Sequence, residues 1–248
     1  MNVLLTGATG KLGQNIANRL LPNNDLILLV RDIDKASKIY GNQVGVSIYE
    51  CDLNYYDSIC SSCKKLLSDF CKVDIIINNA ALDIDQPMLD TIKEEFENIM
   101  KVNLFAPYYI CKNILPNMIK NRFGKIINIS SDLSMRTVKN AAEYSITKAG
   151  LDALTRSIAV EYGSFGITAN SVNISGMKGY TTKVNESCTF SPNEEDYDDW
   201  KYPAERIPLN RRGTFSEYVD VIEFLCSNKS NYINGINMPV DGGMIVKF

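Results

Sequence analysis

The chain has 248 residues, of which 45% are hydrophobic and 22% charged, and its formal net charge is −3. This composition is typical of globular proteins, and we predict one domain over residues 1–248. Because no basic stretch stands out, we expect no nucleic-acid partner. No apolar run approaches the roughly 18 residues of a membrane span, and the N terminus lacks the pattern of a signal peptide. We therefore expect no membrane partner and a cytoplasmic location.

The cysteine and histidine counts limit the chemistry. The chain has seven scattered cysteines and no histidine. An odd number of cysteines in a long chain is typical of reduced thiols in a cytosol. Cys60 and Cys63 form a CxxC pair, but no second pair follows, so we predict no metal site. Without histidine, acid–base chemistry must rely on Tyr, Lys, Asp, Glu or Cys.

A glycine-rich turn follows the first predicted strand. The apolar residues 3–5 lead directly into TGATGKLG at residues 6–13, and an amphipathic helix is predicted to continue to residue 21. A strand, a glycine turn and a helix together bring backbone N–H groups and a helix N terminus up to a phosphate. The spacing is GxxGxxG, which differs from the general GxGxxG dinucleotide fingerprint. We predict that the cofactor contacts Gly7, Thr9, Gly10, Lys11, Leu12 and Gly13.

The second predicted strand, residues 26–30, ends at an adjacent base and acid, Arg31 and Asp32. In nicotinamide sites an acid at this place binds the ribose 2′-hydroxyl, whereas a basic residue accommodates a 2′-phosphate. Arg31 comes first and Lys11 lies in the nearby turn, so the sequence favours NADP over NAD as cofactor. NAD remains possible, because Arg31 could simply be solvated at the strand end.

The third and fourth predicted strands, residues 44–49 and 74–77, are separated by a helix over residues 55–70. Acids, amides and small residues follow these strands, and the carboxyl ends of parallel strands form the ligand crevice of a doubly wound sheet. Ordinary turn and loop hydrogen bonding is the alternative. We predict further cofactor contacts from Asp52, Leu53, Asn79, Ala80 and Ala81.

The second half of the chain continues the alternation of helices and strands. The predicted elements are a helical stretch over 91–121 interrupted at Pro107, strands over 124–131, 166–173 and 236–240, and helices over 143–162 and 215–226. This order indicates βαβ units, hence a Rossmann-type α/β fold with a doubly wound parallel sheet of about seven strands and helices on both faces. Residues 177–205 are polar and follow a strand end. We interpret them as a substrate lid, with a solvated surface excursion as the alternative.

Tyr144 and Lys148 lie four residues apart at the start of the fourth predicted helix. This spacing places a phenol and an ammonium on one helix face. A neighbouring cation favours the charged form of a phenol and so lowers its pKa, and a nearby serine can bind a substrate oxygen. These are the parts of a proton donor directed at a carbonyl. Taken alone, Tyr-x-x-x-Lys could also be an ordinary helix pair with a solvated lysine.

Taken together, the motifs resemble the short-chain dehydrogenase/reductase family, and most of all its single-domain 3-oxoacyl carrier-protein reductases. The likeness runs from Thr6 to Gly243. It rests on the glycine turn, Asn78–Ala81 in place of NNAG, Val102-Asn103, Ser131 thirteen residues before Tyr144, the YxxxK motif, and the ending at 235–243.

Two features depart from the family pattern. The glycine spacing resembles that of the family's longer, nucleotide-sugar-modifying branch. Ser175-Gly176 stands where Pro-Gly usually ends the sixth strand, and the segment that follows is longer than in the family.

The resemblance implies hydride transfer between NADP(H) and a carbonyl or secondary alcohol of a small-molecule substrate. It implies that Tyr144 moves the proton, that Lys148 supports Tyr144 and holds the cofactor ribose, that Ser131 polarises the substrate oxygen, and that Asn103 holds a water. Tyr144 and Lys148 therefore also count as cofactor-binding residues. A homo-oligomer, dimer or tetramer, is implied as well. A nucleotide-sugar epimerase or dehydratase and a non-catalytic NADP-binding protein are the alternatives.

Overall fold

The computed structural model describes residues 1–177 and 203–247. Its centre is a seven-stranded sheet with the order β3-β2-β1-β4-β5-β6-β7, in which every neighbouring pair is parallel. The strands are β1 Asn2–Thr6, β2 Asp25–Val30, β3 Val46–Glu50, β4 Ile75–Asn78, β5 Gly124–Ser131, β6 Ile167–Ile174 and β7 Asn237–Val240. The strand order reverses between β1 and β4, which is where such sheets open a crevice for a ligand. The predicted Rossmann-type fold is confirmed.

Helices cover both faces of the sheet. They are α1 Lys11–Leu20, α2 Ile33–Tyr40, α3 Tyr56–Asp69, α4 Lys93–Met100, α5 Ala106–Asn121, α6 Ala142–Tyr162 and α7 Phe215–Cys226. One hydrophobic core contains residues of α1, α2 and α7, and a second contains residues of α3, α5 and α6. Successive residues of β1 enter opposite cores, since Leu4 belongs to the second core and Leu5 to the first. Strands that are buried on both faces read as continuous apolar runs, which is how β1, β2 and β4 appear in the sequence.

The structure differs from the prediction in the helical stretch over 91–121. The break is a π-helical turn, Lys101–Phe105, which lies before Pro107. Pro107 itself lies in the first turn of α5, directly after the π-helical turn. The interruption therefore comes one turn earlier than predicted, and it contains Asn103.

Two further differences lie in the first half of the chain. Helix α2 was not predicted, because its eight residues give too short a periodic pattern to stand out. Strand β3 begins at Val46 instead of residue 44, since Gly45 has a φ of +84° and Val44 before it is exposed.

The proposed lid, residues 177–205, lies mostly outside the described residues. Met177, at its start, forms an isolated parallel bridge with Gly213. In the two described stretches of the chain, no helix is long and apolar enough to span a bilayer.

Candidate active site

A cleft of about 410 Å³ opens at the carboxyl ends of the central strands. Every residue predicted to contact the cofactor lines it: Gly7, Thr9, Gly10, Lys11, Leu12, Gly13, Arg31, Asp52, Leu53, Asn79, Ala80, Ala81, Tyr144 and Lys148. Of the four residues predicted to be catalytic, Tyr144 and Lys148 line the cleft, whereas Asn103 and Ser131 do not. The structure thus brings the glycine turn and the Tyr–Lys pair together in one cavity.

The glycine turn is shaped by close backbone contacts. The Gly10 N–H donates to the carbonyl oxygen of Gly7 at 3.1 Å, and α1 begins at the next residue. Gly7 has a φ of +67°, and a Cβ there would lie 2.8 Å from Ala80 Cα. A Cβ on Gly13 would lie 2.2 Å from the Gly7 carbonyl oxygen. Glycine is therefore required at both positions, and the turn directs the N terminus of α1 towards the cleft, as binding of a pyrophosphate needs.

Three side chains hold this turn in place, and two of them, Thr6 and Tyr40, were not assigned to the site from the sequence. Thr6 Oγ1 accepts hydrogen bonds from the backbone N–H groups of Asn79 and Ala80, both at 3.0 Å. Asn79 Nδ2 donates to the carbonyl oxygens of Thr6 and Gly7 at 3.0 and 3.2 Å. The Asn79 side chain therefore braces the turn from the neighbouring strand end.

The third of these side chains, Tyr40, comes from the unpredicted helix α2. Its hydroxyl donates to the carbonyl oxygen of Ala8 at 2.7 Å, and burial raises the pKa of the phenol to about 12. Nothing local marks this tyrosine, because its partner lies 32 residues earlier in the chain.

Exposed charges surround the outer end of the cleft. Lys11, Arg31 and Lys35 are all exposed and line the cleft beside Asp32. Asp32 Oδ1 accepts a hydrogen bond from the Lys35 backbone N–H at 2.8 Å and so caps α2. One carboxylate engaged at a helix N terminus therefore faces three cations. Lys35 was not predicted, since α2 itself was not.

Asp52 has both a place in the cleft and turn hydrogen bonds, and its predicted contact with the cofactor stays a prediction. It lines the cleft beside Leu53. Its Oδ1 also accepts hydrogen bonds from the backbone and side-chain nitrogens of Asn54 at 2.9 and 3.0 Å. The carboxylate thus shapes the turn after β3 and faces the cavity from there.

Lys148 is buried at the inner end of the cleft, with 2% of its surface exposed. Its Nζ donates to the carbonyl oxygen of Ile129 at 2.8 Å and lies 5.4 Å from the centroid of the Tyr144 ring. Burial lowers the pKa of Lys148 to about 8, while the carboxylates of Asp152 and Asp83 act in the opposite direction. A cation at this distance interacts favourably with the ring and favours negative charge on its oxygen.

The two serines at the end of β5 lie in different places relative to the cleft. The hydroxyl of Ser131 is buried, accepts from the Leu133 N–H at 3.1 Å and donates to Asp132 Oδ1 at 3.2 Å. Ser130 lines the cleft instead, and its hydroxyl lies 3.4 Å from the Lys148 carbonyl oxygen. In this arrangement, the Ser131 hydroxyl is engaged within its own turn.

Asn103 connects the site to its surroundings through its side-chain amide. Oδ1 accepts from the Leu82 N–H, and Nδ2 donates to the Leu82 carbonyl oxygen, both at 2.8 Å. Nδ2 also donates to Thr147 Oγ1 at 3.1 Å. Asn103 thereby ties the loop after β4 to α6. Its predicted role in holding a water stays a prediction.

Comparisons with known proteins agree with this geometry. A family model described as enoyl-(acyl carrier protein) reductase matches residues 7–245. The 3-oxoacyl-[acyl-carrier-protein] reductase FabG of Buchnera aphidicola (subsp. Schizaphis graminum) is 32% identical over 97% of this chain and 96% of its own. The FabG of Aquifex aeolicus is 31% identical, with the same coverage of 97% and 96%.

A solved structure extends the likeness to the fold. Gluconate 5-dehydrogenase from Burkholderia cenocepacia, crystallised with NADP and tartrate, is 23% identical and has a TM-score of 0.88 over 100% of this chain and 96% of that chain. The chain therefore belongs to the short-chain dehydrogenase/reductase family and is an NAD(P)-dependent oxidoreductase.

Proposed function

We propose that the protein transfers a hydride between NADP(H) and a carbonyl or secondary alcohol of a small-molecule substrate, with Tyr144 as the general acid or base. The observation that carries this proposal is the buried Lys148 ammonium, 5.4 Å from the Tyr144 ring, in the cleft that also contains the glycine turn. Bound NADP(H) supplies the hydride in reduction and accepts it in oxidation.

The proton is moved by Tyr144. In reduction, its hydroxyl donates a proton to the substrate carbonyl oxygen and becomes a phenolate, which afterwards regains a proton from solvent. An unperturbed phenol has a pKa of about 10 and is a poor base at neutral pH, so the reverse reaction needs a nearby cation. Lys148 is that cation, and its own position is held by the carbonyl oxygen of Ile129.

A serine hydroxyl completes the proposed site by polarising the substrate oxygen. We assign this role to Ser131, whose hydroxyl would turn from Asp132 Oδ1 towards the substrate. The placement of Ser130 in the cleft makes it the alternative. Comparison of the two alanine variants separates them, because only loss of the polarising hydroxyl should lower kcat. Asn103 has two proposed roles: it holds the loop after β4 against α6, and it holds a water at this place.

The charges at the outer end of the cleft support NADP as the cofactor. Arg31, Lys11 and Lys35 would hold the additional 2′-phosphate, and the N terminus of α1 would hold the pyrophosphate. Asp32, the residue that would favour NAD, uses one carboxylate oxygen to cap α2. The other cofactor contacts would come from the two clusters Asp52–Leu53 and Asn79–Ala81, which line the cleft.

The similarity to 3-oxoacyl carrier-protein reductases supports a 3-oxoacyl-type carbonyl as the first substrate to test. The same relatives favour this reaction over the nucleotide-sugar chemistry that the glycine spacing suggested. An apolar groove of about 350 Å³ between α5 and α6, lined by Leu104, Phe105, Tyr108, Tyr109 and Leu154, supports the proposed homo-oligomer. The single domain over residues 1–248 and the cytoplasmic location stay predictions.

The test compares two tyrosine-to-phenylalanine variants on the same helix. Tyr144→Phe removes the proposed proton donor, so kcat for carbonyl reduction should fall by about 10²–10⁴-fold. NADPH should still raise the melting temperature of this variant, because ligand binding stabilises the folded state. Tyr162→Phe removes a hydroxyl at the far end of α6 and should leave kcat unchanged. Full turnover by Tyr144→Phe would contradict the proposal, and a larger shift with NADH than with NADPH would overturn the cofactor assignment.

A further inference from the structure

A buried carboxylate outside the four residues of the proposed mechanism lies beneath the active site. Asp152 is on α6, one helical turn after Lys148, and only 3% of its surface is exposed. Among the described residues, Asp152 forms no ion pair, and its buried Oδ1 receives no hydrogen bond. An ionised carboxylate in such a place is costly for folding unless other groups stabilise it. Its neighbours indicate what it does.

Hydrogen bonds connect Asp152 to the turn that begins at Ser131. Asp152 Oδ2 lies 2.6 Å from Ser134 Oγ and accepts from Asn173 Nδ2 at 2.8 Å. These same two side chains also contact the carbonyl oxygen of Ser131, Ser134 at 2.7 Å and Asn173 at 3.1 Å. Asp152 therefore fixes the two groups that hold the Ser131 backbone.

The charge of Asp152 also acts on Lys148. The ammonium lies in a buried place that disfavours its charge, and the carboxylates of Asp152 on α6 and Asp83 after β4 oppose that effect on its pKa. Tyr144 on α6 also lies beside the ammonium, with its ring centroid 5.4 Å from Lys148 Nζ. The turn after β5, which packs against α6, carries the ion pair of Asp132 with Arg136, 2.5 Å apart. Asp152 and Asp83 are thus the carboxylates that favour the charged form of Lys148.

We propose that Asp152 is a positioning residue of the reaction, which keeps Lys148 charged through space and holds Ser131 in place through Ser134 and Asn173. The proposal rests on the proposed function of the same site. In this role, the Asp152 carboxylate connects the proton-transfer pair on α6 with the turn that begins at Ser131. Asp152 need not touch the substrate or the cofactor for this role.

Asp152→Asn tests the charge, because the amide keeps the size of the side chain. The kcat of carbonyl reduction should decline at high pH where Lys148 loses its proton, and in this variant the decline should begin roughly one pH unit lower. Asp220→Asn makes the same substitution on the exposed surface of α7 and should leave the pH profile unchanged. An Asp152→Asn variant whose kcat is reduced by the same factor at every pH would contradict the proposal.

A second readout does not depend on activity. The attraction between Asp152 and Lys148 exists only while Lys148 is charged, below its pKa of about 8. As the pH is raised through that value, the wild type loses this attraction. The melting temperature of cofactor-free Asp152→Asn should therefore rise relative to that of the wild type. A difference that is constant with pH would overturn the charge role, even if the wild type proved inactive on carbonyls. Inactivity of the wild type would by itself contradict only the proposed function.

Two further variants separate the charge from the hydrogen bonds. Ser134→Ala removes a hydroxyl that joins Asp152 to the Ser131 turn but leaves the carboxylate, so it should lower kcat several-fold without moving the alkaline decline. Asp152→Glu keeps the charge and should also retain the position of the decline. If Asp152→Asn does not fold, these two variants still test the proposal, because a shifted decline in either one contradicts it.

Discussion

The two ends of the cleft are built in opposite ways. At the outer end, the glycine turn is shaped by backbone contacts, and the charged groups Arg31, Lys11 and Lys35 are exposed. At the inner end, the charged groups are buried, with Lys148 2% and Asp152 3% exposed. Exposed charges can attract a phosphate, but water and salt screen them. Buried charges act more strongly because the surrounding dielectric is low, as stabilisation of charge during proton transfer requires.

This difference has a consequence for stability. Charges at the outer end cost little, because water solvates them in the free protein. At the inner end, burial of the Lys148 ammonium opposes folding, and the carboxylates of Asp152 and Asp83 offset part of that effect. Removal of the Lys148 ammonium should therefore exchange activity for stability, while removal of an exposed charge at the outer end should change binding alone.

The largest effect is expected from Lys148→Met, which breaks the inner end. Turnover should fall by at least about 100-fold, since Tyr144 loses its cation. The stability of the variant at neutral pH should rise, by up to about 3 kcal/mol, because a pKa lowered from 10.5 to about 8 means that the folded state disfavours the charge.

The pH dependence of stability checks the sign of this prediction. Between pH 8 and 10.5 the unfolded wild type binds more protons at Lys148 than the folded form does. The contribution of Lys148 to the free energy of unfolding should therefore increase with pH over this range. Lys148→Met should lack that contribution. Urea denaturation at several pH values measures both proteins, and a variant less stable than the wild type at neutral pH would contradict the prediction.

Gly13→Ala breaks the outer end by steric means. The new Cβ would lie 2.2 Å from the Gly7 carbonyl oxygen, so the turn must shift. We expect destabilisation of the cofactor-free protein by about 1–3 kcal/mol, with weakened NADPH binding in a thermal-shift titration. Gly10→Ala is the matched control for stability, since its Cβ has only one neighbour, at 3.4 Å. Equal stability of the two variants would show that the close approach at Gly13 is unimportant.

The smallest effect is expected from Arg31→Ala, which removes one exposed charge. The Kd for NADPH should rise several-fold, by about 1 kcal/mol, while the Kd for NADH stays the same. The effect should shrink in high salt, because the charge is exposed. Lys38→Ala provides the control, as it removes an exposed cation from α2, the helix that follows Arg31, at a position that does not line the cleft. An equal loss of NADPH and NADH affinity would contradict this prediction, because Arg31 would then have a role unrelated to the 2′-phosphate.

Local patterns were enough to predict most of the elements. The bounds of β5 and α7 match the predicted 124–131 and 215–226, because a buried apolar run and an amphipathic period are properties of neighbouring residues. Short or irregular pieces were missed for the same reason: α2 has eight residues, and the π-helical turn at Lys101–Phe105 has no periodic signature.

The sequence by itself determined the Rossmann-type fold, the family, and the residues that come together in the cleft, since motifs at strand ends converge wherever parallel strands share an edge. Only the tertiary structure decided which side chains hold those motifs in place. Tyr40 reaches the glycine turn, and Asp152 reaches the Ser131 turn through Asn173 of another strand. Such contacts join residues distant in the chain, so they depend on how helices pack against the sheet, and the surrounding sequence carries no periodic trace of them.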